Sequence, residues 1–415
     1  MFDVLGKLGW FFQQYKKQYA VAVFLLIIAS VLDVIPPYML GSVIDILTAG
    51  EMTASLLFQY AGIFLIIIIG GYFLNFYWQY RLFEGAINLE RTLRRKLMLQ
   101  FLKMTPAFYE KNRTGDLMAR ATNDLNSVSL TAGFGIMTLI DSTLYMGAII
   151  FAMGFMISWK LTFFAMLPVP IMAVFIQYLG KLVHERYMQA QDAFGELNDR
   201  VLESIAGVRV IRAYVQEKKD EVRFAEMSET VYEKNMHTVK INALFGPITK
   251  IGTGISYIVA LGYGAVLITN GEMTVGQLVT FNVYLGLAVW PIFAIGELIN
   301  VMQQGNASLD RVQETLDYEA DVQNTEKPVL IGTPKEIGFS ELNFQYPSSQ
   351  VENLKQISLS LKKGETLGIV GKTGAGKTTF LRQLLREYPI EAGQLIINGV
   401  DIASQTKEQV LDWIG

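Results

Sequence analysis

The chain has 415 residues, of which 51% are hydrophobic and only 18% charged, and its mean hydropathy is +0.31. That is well below the roughly 25% charged content of soluble domains, which excludes a purely water-soluble fold and a disordered chain. The absence of Cys excludes disulfide and thiolate chemistry, and a net charge of −3 without a basic excess argues against a nucleic-acid partner. The two histidines, His184 and His237, are too few and too far apart to suggest a metal site.

The apolar excess is confined to the first part of the chain, because from residue 331 onward 9 Lys and Arg balance 9 Asp and Glu in 85 residues of ordinary globular composition. Before that, apolar windows near the ~20 residues that cross a hydrocarbon core predict spans at 19–41, 56–80, 134–157, 161–180, 244–269 and 276–300. Lys7, Lys16 and Lys17 precede the first window as they would a cleaved secretory leader, but five further spans favour a retained anchor. Pro36 and Pro37 in the first span and Pro291 in the sixth predict kinks.

Loop charge sets the expected orientation. The segment 41–55 carries no Lys or Arg, whereas 81–113 carries eight and 181–240 carries ten. Positive charge stays on the cytoplasmic side, so both termini and the two long loops are expected there, in the cell membrane. Those loops are poor in Gly, free of Pro between 81 and 104 and again between 181 and 240, and apolar at helical spacing, as in Leu89, Leu93, Leu97 and Phe101. They predict membrane helices that continue far into the cytoplasm.

Three carboxylates lie inside the spans: Asp33 in the first, Asp141 in the third and Glu297 in the sixth. Intramembrane carboxylates are costly and face protein or water. Together with Trp290 they are the candidate lining of a substrate cavity that would favour cationic amphiphiles, the indole offering cation–π contact.

Past the last span the chain turns polar through 306–336, a linker composition with Pro328, Gly332 and Pro334. Residues 337–415 then read as strands and short helices, and the run from Glu365 to Val370 predicts a buried strand. It leads into GKTGAGKT at 371–378, followed by helical spacing from Thr379. This is the G-x-x-x-x-G-K-[ST] pattern in its strand–loop–helix context. Gly371, Gly374 and Gly376 let the backbone curl so that the N–H groups of Lys372, Thr373, Ala375 and their neighbours face phosphate oxygens. Lys377 supplies a point charge, Thr378 a hydroxyl for Mg²⁺, and Thr379 continues the first helical turn.

Six spans with long cytoplasmic helices, joined to a phosphate-binding loop, resemble a half-transporter of the ATP-binding cassette exporter family over essentially the whole chain. Phe108 to Arg120, with Asn123 and Asp124 after it, resembles the first coupling loop of that family (105–125 here). Ile211 to Phe224 resembles the second, and Ser308 to Arg311 the junction into the nucleotide-binding domain. Phe344-Gln-Tyr346-Pro347 is similar to the adenine-stacking loop, 25 residues before Gly371, which makes Tyr346 the candidate to pack against the base. The fold class implied is a multi-pass α-helical membrane domain (1–305) plus the N-terminal part of an α/β P-loop nucleotide-binding domain. The function implied is ATP-driven export of amphiphilic compounds, by alternating access, as one half of a dimer.

The partner implied is a second half-transporter. The wording of the phosphate loop leans toward one half of a bacterial heterodimeric multidrug exporter, although a homodimer remains open. A lipid or glycolipid flippase, and an ATP-gated membrane protein without uphill transport, are the rival readings. The glutamine loop, signature motif, catalytic glutamate and switch histidine of the family are not found within these 415 residues, so the chain is expected to be part of a longer one.

Overall fold

A computed structural model describes residues 3–325, 327–347 and 349–414. Among them, five helical stretches are long and apolar enough to cross a membrane: Lys16–Thr48, Ala54–Lys103, Thr114–Ala206, Glu217–Thr269 and Val275–Leu316. The helix Ala54–Lys103 runs unbroken for 50 residues. At 1.5 Å per residue that is about 75 Å, more than twice a bilayer core of ~30 Å, as the Gly-poor charged extension predicts.

The stretch Thr114–Ala206 contains both the 134–157 and 161–180 windows. It breaks at Ser158, whose backbone is extended (φ −163°, ψ 123°) and whose hydroxyl accepts from the Leu161 N–H, an N-cap that starts a new helix. Gly154 faces the Trp159 ring across this corner with no room for a Cβ. Four π-helical turns, Arg120–Asp124, Thr131–Gly135, Asp141–Tyr145 and Ala152–Ser158, interrupt the same stretch, and nothing in the hydropathy pattern announces them.

Both expected kinks are present. The first stretch is interrupted at Asp33–Val34, directly before Pro36 and Pro37 in the first turn of Ile35–Thr48. A proline donates no N–H to the preceding turn, so the regular ladder fails there. The Tyr284 hydroxyl donates to the Val34 carbonyl at 2.6 Å and Thr280 donates to the Pro37 carbonyl at 3.1 Å, so polar groups at the break stay paired. The last stretch is interrupted at Ala288, three residues before Pro291, for the same reason. The helix then continues to Leu316, occupying the first third of the segment 306–336 that composition assigns to a linker.

The chain divides into two compact units. One comprises Ala20–Arg81 and Ile136–Leu298, with a core of Ile149, Met153, Leu161, Phe281 and Tyr284. The other comprises Met1–Tyr19, Leu82–Gly135 and Ile299–Gly415. It contains a four-stranded antiparallel sheet of β1 (Glu336–Phe344), β2 (Leu354–Lys362), β3 (Leu395–Ile397) and β4 (Val400–Asp401), in the order β2-β1-β3-β4. Asn398 and Gly399, at φ 51° and 79°, form the tight turn between β3 and β4.

One expectation fails. The run from Glu365 to Val370 forms no strand, and Val370 is 93% exposed. An apolar run becomes a strand only when a neighbouring strand accepts its backbone hydrogen bonds, and none of the four antiparallel strands pairs with it.

Candidate functional site

The phosphate loop is placed by the helix Lys377–Leu384, whose Phe380 ring packs on Phe339 of β1 with centroids 4.5 Å apart. Phe380 joins Leu342, Phe344, Leu354, Leu395 and Ile397 in one core, which seats the N-terminus of the helix above the sheet. Gly374 and Gly376 both lie at φ 85°, where a side chain would be strained. A Cβ on Gly376 would also come within 3.0 Å of the Asn353 carbonyl oxygen, and one on Gly371 within 3.1 Å of Ala375. These glycines permit the curl that the motif predicts.

Gly371, Lys372, Thr373, Gly374 and Ala375 are exposed, as is Thr378, whereas Thr379 is buried. Lys377 Nζ donates to the carbonyls of Gly371 and Lys372 at 2.8 and 2.9 Å, so the ammonium lies inside the curve of the loop. The first N–H groups of the helix have no intrahelical acceptor, and with the dipole they make its start favourable for an anion.

Tyr346 is brought to this loop. Its hydroxyl hydrogen-bonds with Thr379 Oγ1 at 3.0 Å, and its ring meets Phe344 and Tyr388 edge to face at 4.9 and 5.2 Å. Tyr388 carries no motif and sequence reasoning passes over it. It is 1% exposed and its hydroxyl donates to Glu110 Oε1 at 2.5 Å. Burial pushes the Tyr388 pKa up, and the Glu110 hydrogen bond and charge push it further, so the hydroxyl stays a proton donor.

Two expected motifs meet elsewhere in the same unit. Ser308 Oγ donates to Asp124 Oδ1 at 3.0 Å and Arg311 Nε to Oδ2 at 2.9 Å, with a second Arg311 nitrogen completing a two-pronged ion pair. Arg120 adds a contact to Glu314 at 3.1 Å.

Of the membrane carboxylates, Asp141 accepts from Trp290 Nε1 at 3.2 Å, and Asp33 lies at the break of the first stretch. Asp141 opens the π-helical turn Asp141–Tyr145, an irregularity common where a helix carries function. Glu297 is exposed two turns beyond Trp290 on the same helix. An apolar cleft of about 310 Å³ is lined by Val34, Tyr38, Phe151 and Tyr284, and a groove of about 560 Å³ by Phe164, Met172, Phe175 and Ile251.

A membrane-embedded helical domain joined to a phosphate-binding α/β domain defines a nucleotide-driven membrane protein. Residues 19–292 match the ABC transporter transmembrane region and residues 354–415 match the ABC transporter domain. The chain is 54% identical over all 415 residues to the probable multidrug resistance ABC transporter ATP-binding/permease protein YheI of Bacillus subtilis, covering 71% of that protein. It is 35% identical over 410 residues to the multidrug resistance-like ATP-binding protein MdlA of Escherichia coli, covering 99% of this chain and 69% of that one. An ATP-dependent lipid A-core flippase of Syntrophus aciditrophicus is 30% identical over 311 residues, which is 75% of this chain and 51% of the flippase.

The chain belongs to the ABC transporter family. It is a multi-pass membrane protein with the nucleotide-binding part of an ATPase, and half-transporters of the family act as dimers.

Proposed function

We propose that this chain is one half of a dimeric pump that exports amphiphilic compounds across the cell membrane at the expense of ATP, with both termini and the long polar helices on the cytoplasmic side. The observation that carries the reading is the union, in one chain, of membrane-length helices with a curled glycine loop at a helix N-terminus. The names of the two multidrug relatives support export over the alternatives.

In this reading the amides of Gly371, Lys372, Thr373, Gly374, Ala375 and Gly376 and the Lys377 ammonium hold the phosphates, and Tyr346 packs on the base. Lys377 must leave the Gly371 and Lys372 carbonyls to do so, and the phosphates replace those acceptors with a stronger, charged one. The exposed Thr378 hydroxyl, on the first helical turn, is a hard oxygen donor suited to Mg²⁺, which neutralises phosphate charge when bound. Asp33, Asp141 and Trp290, with Glu297 farther along the helix, supply the acidic and aromatic contacts for a cationic amphiphile, and the cleft lined by Val34 and Tyr284 its apolar ones. We further propose a non-identical partner subunit, with membrane lipids around both.

The test is uphill transport. Full-length protein and partner in vesicles should move a cationic dye against its gradient when given ATP, and Lys377→Ala should abolish both that movement and ATP turnover. Stimulation of ATPase by lipid but not by dye would point to flipping instead. ATP binding with no uphill movement of dye or lipid would point to a nucleotide-gated protein, and unchanged turnover in Lys377→Ala would overturn the site.

A further inference from the structure

The nucleotide site and the short helix Pro106–Lys111, at the start of the segment that resembles a first coupling loop, are joined through Tyr388, a side chain that no motif marks. Pro106–Lys111 lies in the polar segment between the second and third predicted spans and sends Ala107 into the same core as Phe344, Tyr388 and Phe380. Phe108 is 2% exposed and packs against Tyr318 at 4.9 Å. The polar end of this contact is a single hydrogen bond, from the Tyr388 hydroxyl to Glu110. Phe344 touches the Tyr388 ring at 5.1 Å and the Tyr346 ring at 4.9 Å, so the three aromatics form one cluster.

We propose that Tyr388 is a positioning residue that couples the base-binding Tyr346 to Glu110, so that the placement of Pro106–Lys111 and the affinity for adenine nucleotide depend on each other. This deepens the nucleotide-site reading above and rests on it. Tyr388 has two faces with different chemistry. Its ring edge fixes the plane that Tyr346 can adopt, while its buried hydroxyl needs an acceptor and finds one only when Glu110 is in place. Displacing Glu110 removes the acceptor of that hydroxyl. The ring then shifts toward a new partner, and Tyr346 loses the contact that orients it. The converse holds by linkage: a base resting on Tyr346 favours the Tyr388 orientation that holds Glu110. None of Gly371 to Thr378, the residues assigned to the phosphates and Mg²⁺, meets Tyr388 or Glu110 in these contacts, and Tyr346 reaches the helix only at Thr379, so the coupling acts on the base rather than on the phosphates.

Equilibrium binding of a fluorescent ATP analogue, and of inorganic triphosphate as its competitor, separates these effects in the full-length transporter with its partner. Glu110→Ala should weaken ATP binding about fivefold, Tyr388→Phe by a similar factor, and the double variant no further than either alone. Triphosphate affinity should stay unchanged in all three, and Glu110→Gln, which keeps an oxygen acceptor, should retain wild-type ATP affinity. Glu110 is exposed, so its replacement tests the coupling even where Tyr388→Phe folds poorly. Unchanged ATP affinity in Glu110→Ala, equal losses for triphosphate and ATP, or additive losses in the double variant would each overturn the proposal. Failure of the nucleotide-site reading has a different signature: wild-type and Lys377→Ala protein would bind ATP equally.

Discussion

Gly376 combines a left-handed backbone with a wall: φ is 85° and the Asn353 carbonyl oxygen stands where a methyl group would go. Gly374 has the same φ but open space around it. Alanine at either position carries a left-handed strain of roughly 1–2 kcal/mol, and at Gly376 it must also displace backbone. Gly376→Ala should therefore weaken nucleotide binding more than Gly374→Ala, as read by titration with a fluorescent ATP analogue. Equal losses would mean that strain alone matters. Both glycines are legible in the sequence because the motif is local, every residue lying within a few positions of the next. Tyr388 is not legible, because its importance comes from Glu110, 278 residues away, and from a ring brought over by the β1–β2 connection.

One pair of helices in this chain meets where side chains are smallest. A Cβ on Gly276 would lie 2.0 Å from the Gly41 carbonyl oxygen, and one on Gly41 would lie 2.0 Å from Thr280 Oγ1. The helices Ile35–Thr48 and Val275–Leu287 thus pack backbone to backbone, the close approach that small residues allow between membrane helices. Asp45 adds hydrogen bonds from Thr274 Oγ1 at 2.6 Å and the Gly276 N–H at 2.7 Å. Gly276→Val should force these helices apart at a cost of about 1–3 kcal/mol and lower the melting temperature in detergent. Replacing Gly62, which has open space around its Cα, should not. Helix existence and the proline breaks are read directly from composition. The π-helical turns and the unformed strand before the phosphate loop are not, because the turns rest on a small shift of hydrogen bonding within one helix and the strand on which backbone partner lies alongside.

For the molecule as a whole, nucleotide binding and turnover should separate when Mg²⁺ is chelated. With EDTA, a fluorescent ATP analogue should still bind through the loop amides and Lys377, while ATP hydrolysis by the full-length pair falls to background. Persistent hydrolysis would remove Thr378 from its proposed role.

The class of protein follows from the sequence alone, since span length, loop charge and the glycine loop are properties of contiguous residues governed by hydrophobic transfer and local backbone freedom. Tertiary structure decided the pairings. Asp124 meets Ser308 and Arg311 across 184 and 187 positions, Asp141 meets Trp290 across 149, and Tyr388 meets Glu110. Each is a short-range polar contact whose strength depends on geometry of a few tenths of an ångström, and no pattern along the chain specifies that geometry until the helices and the sheet have packed.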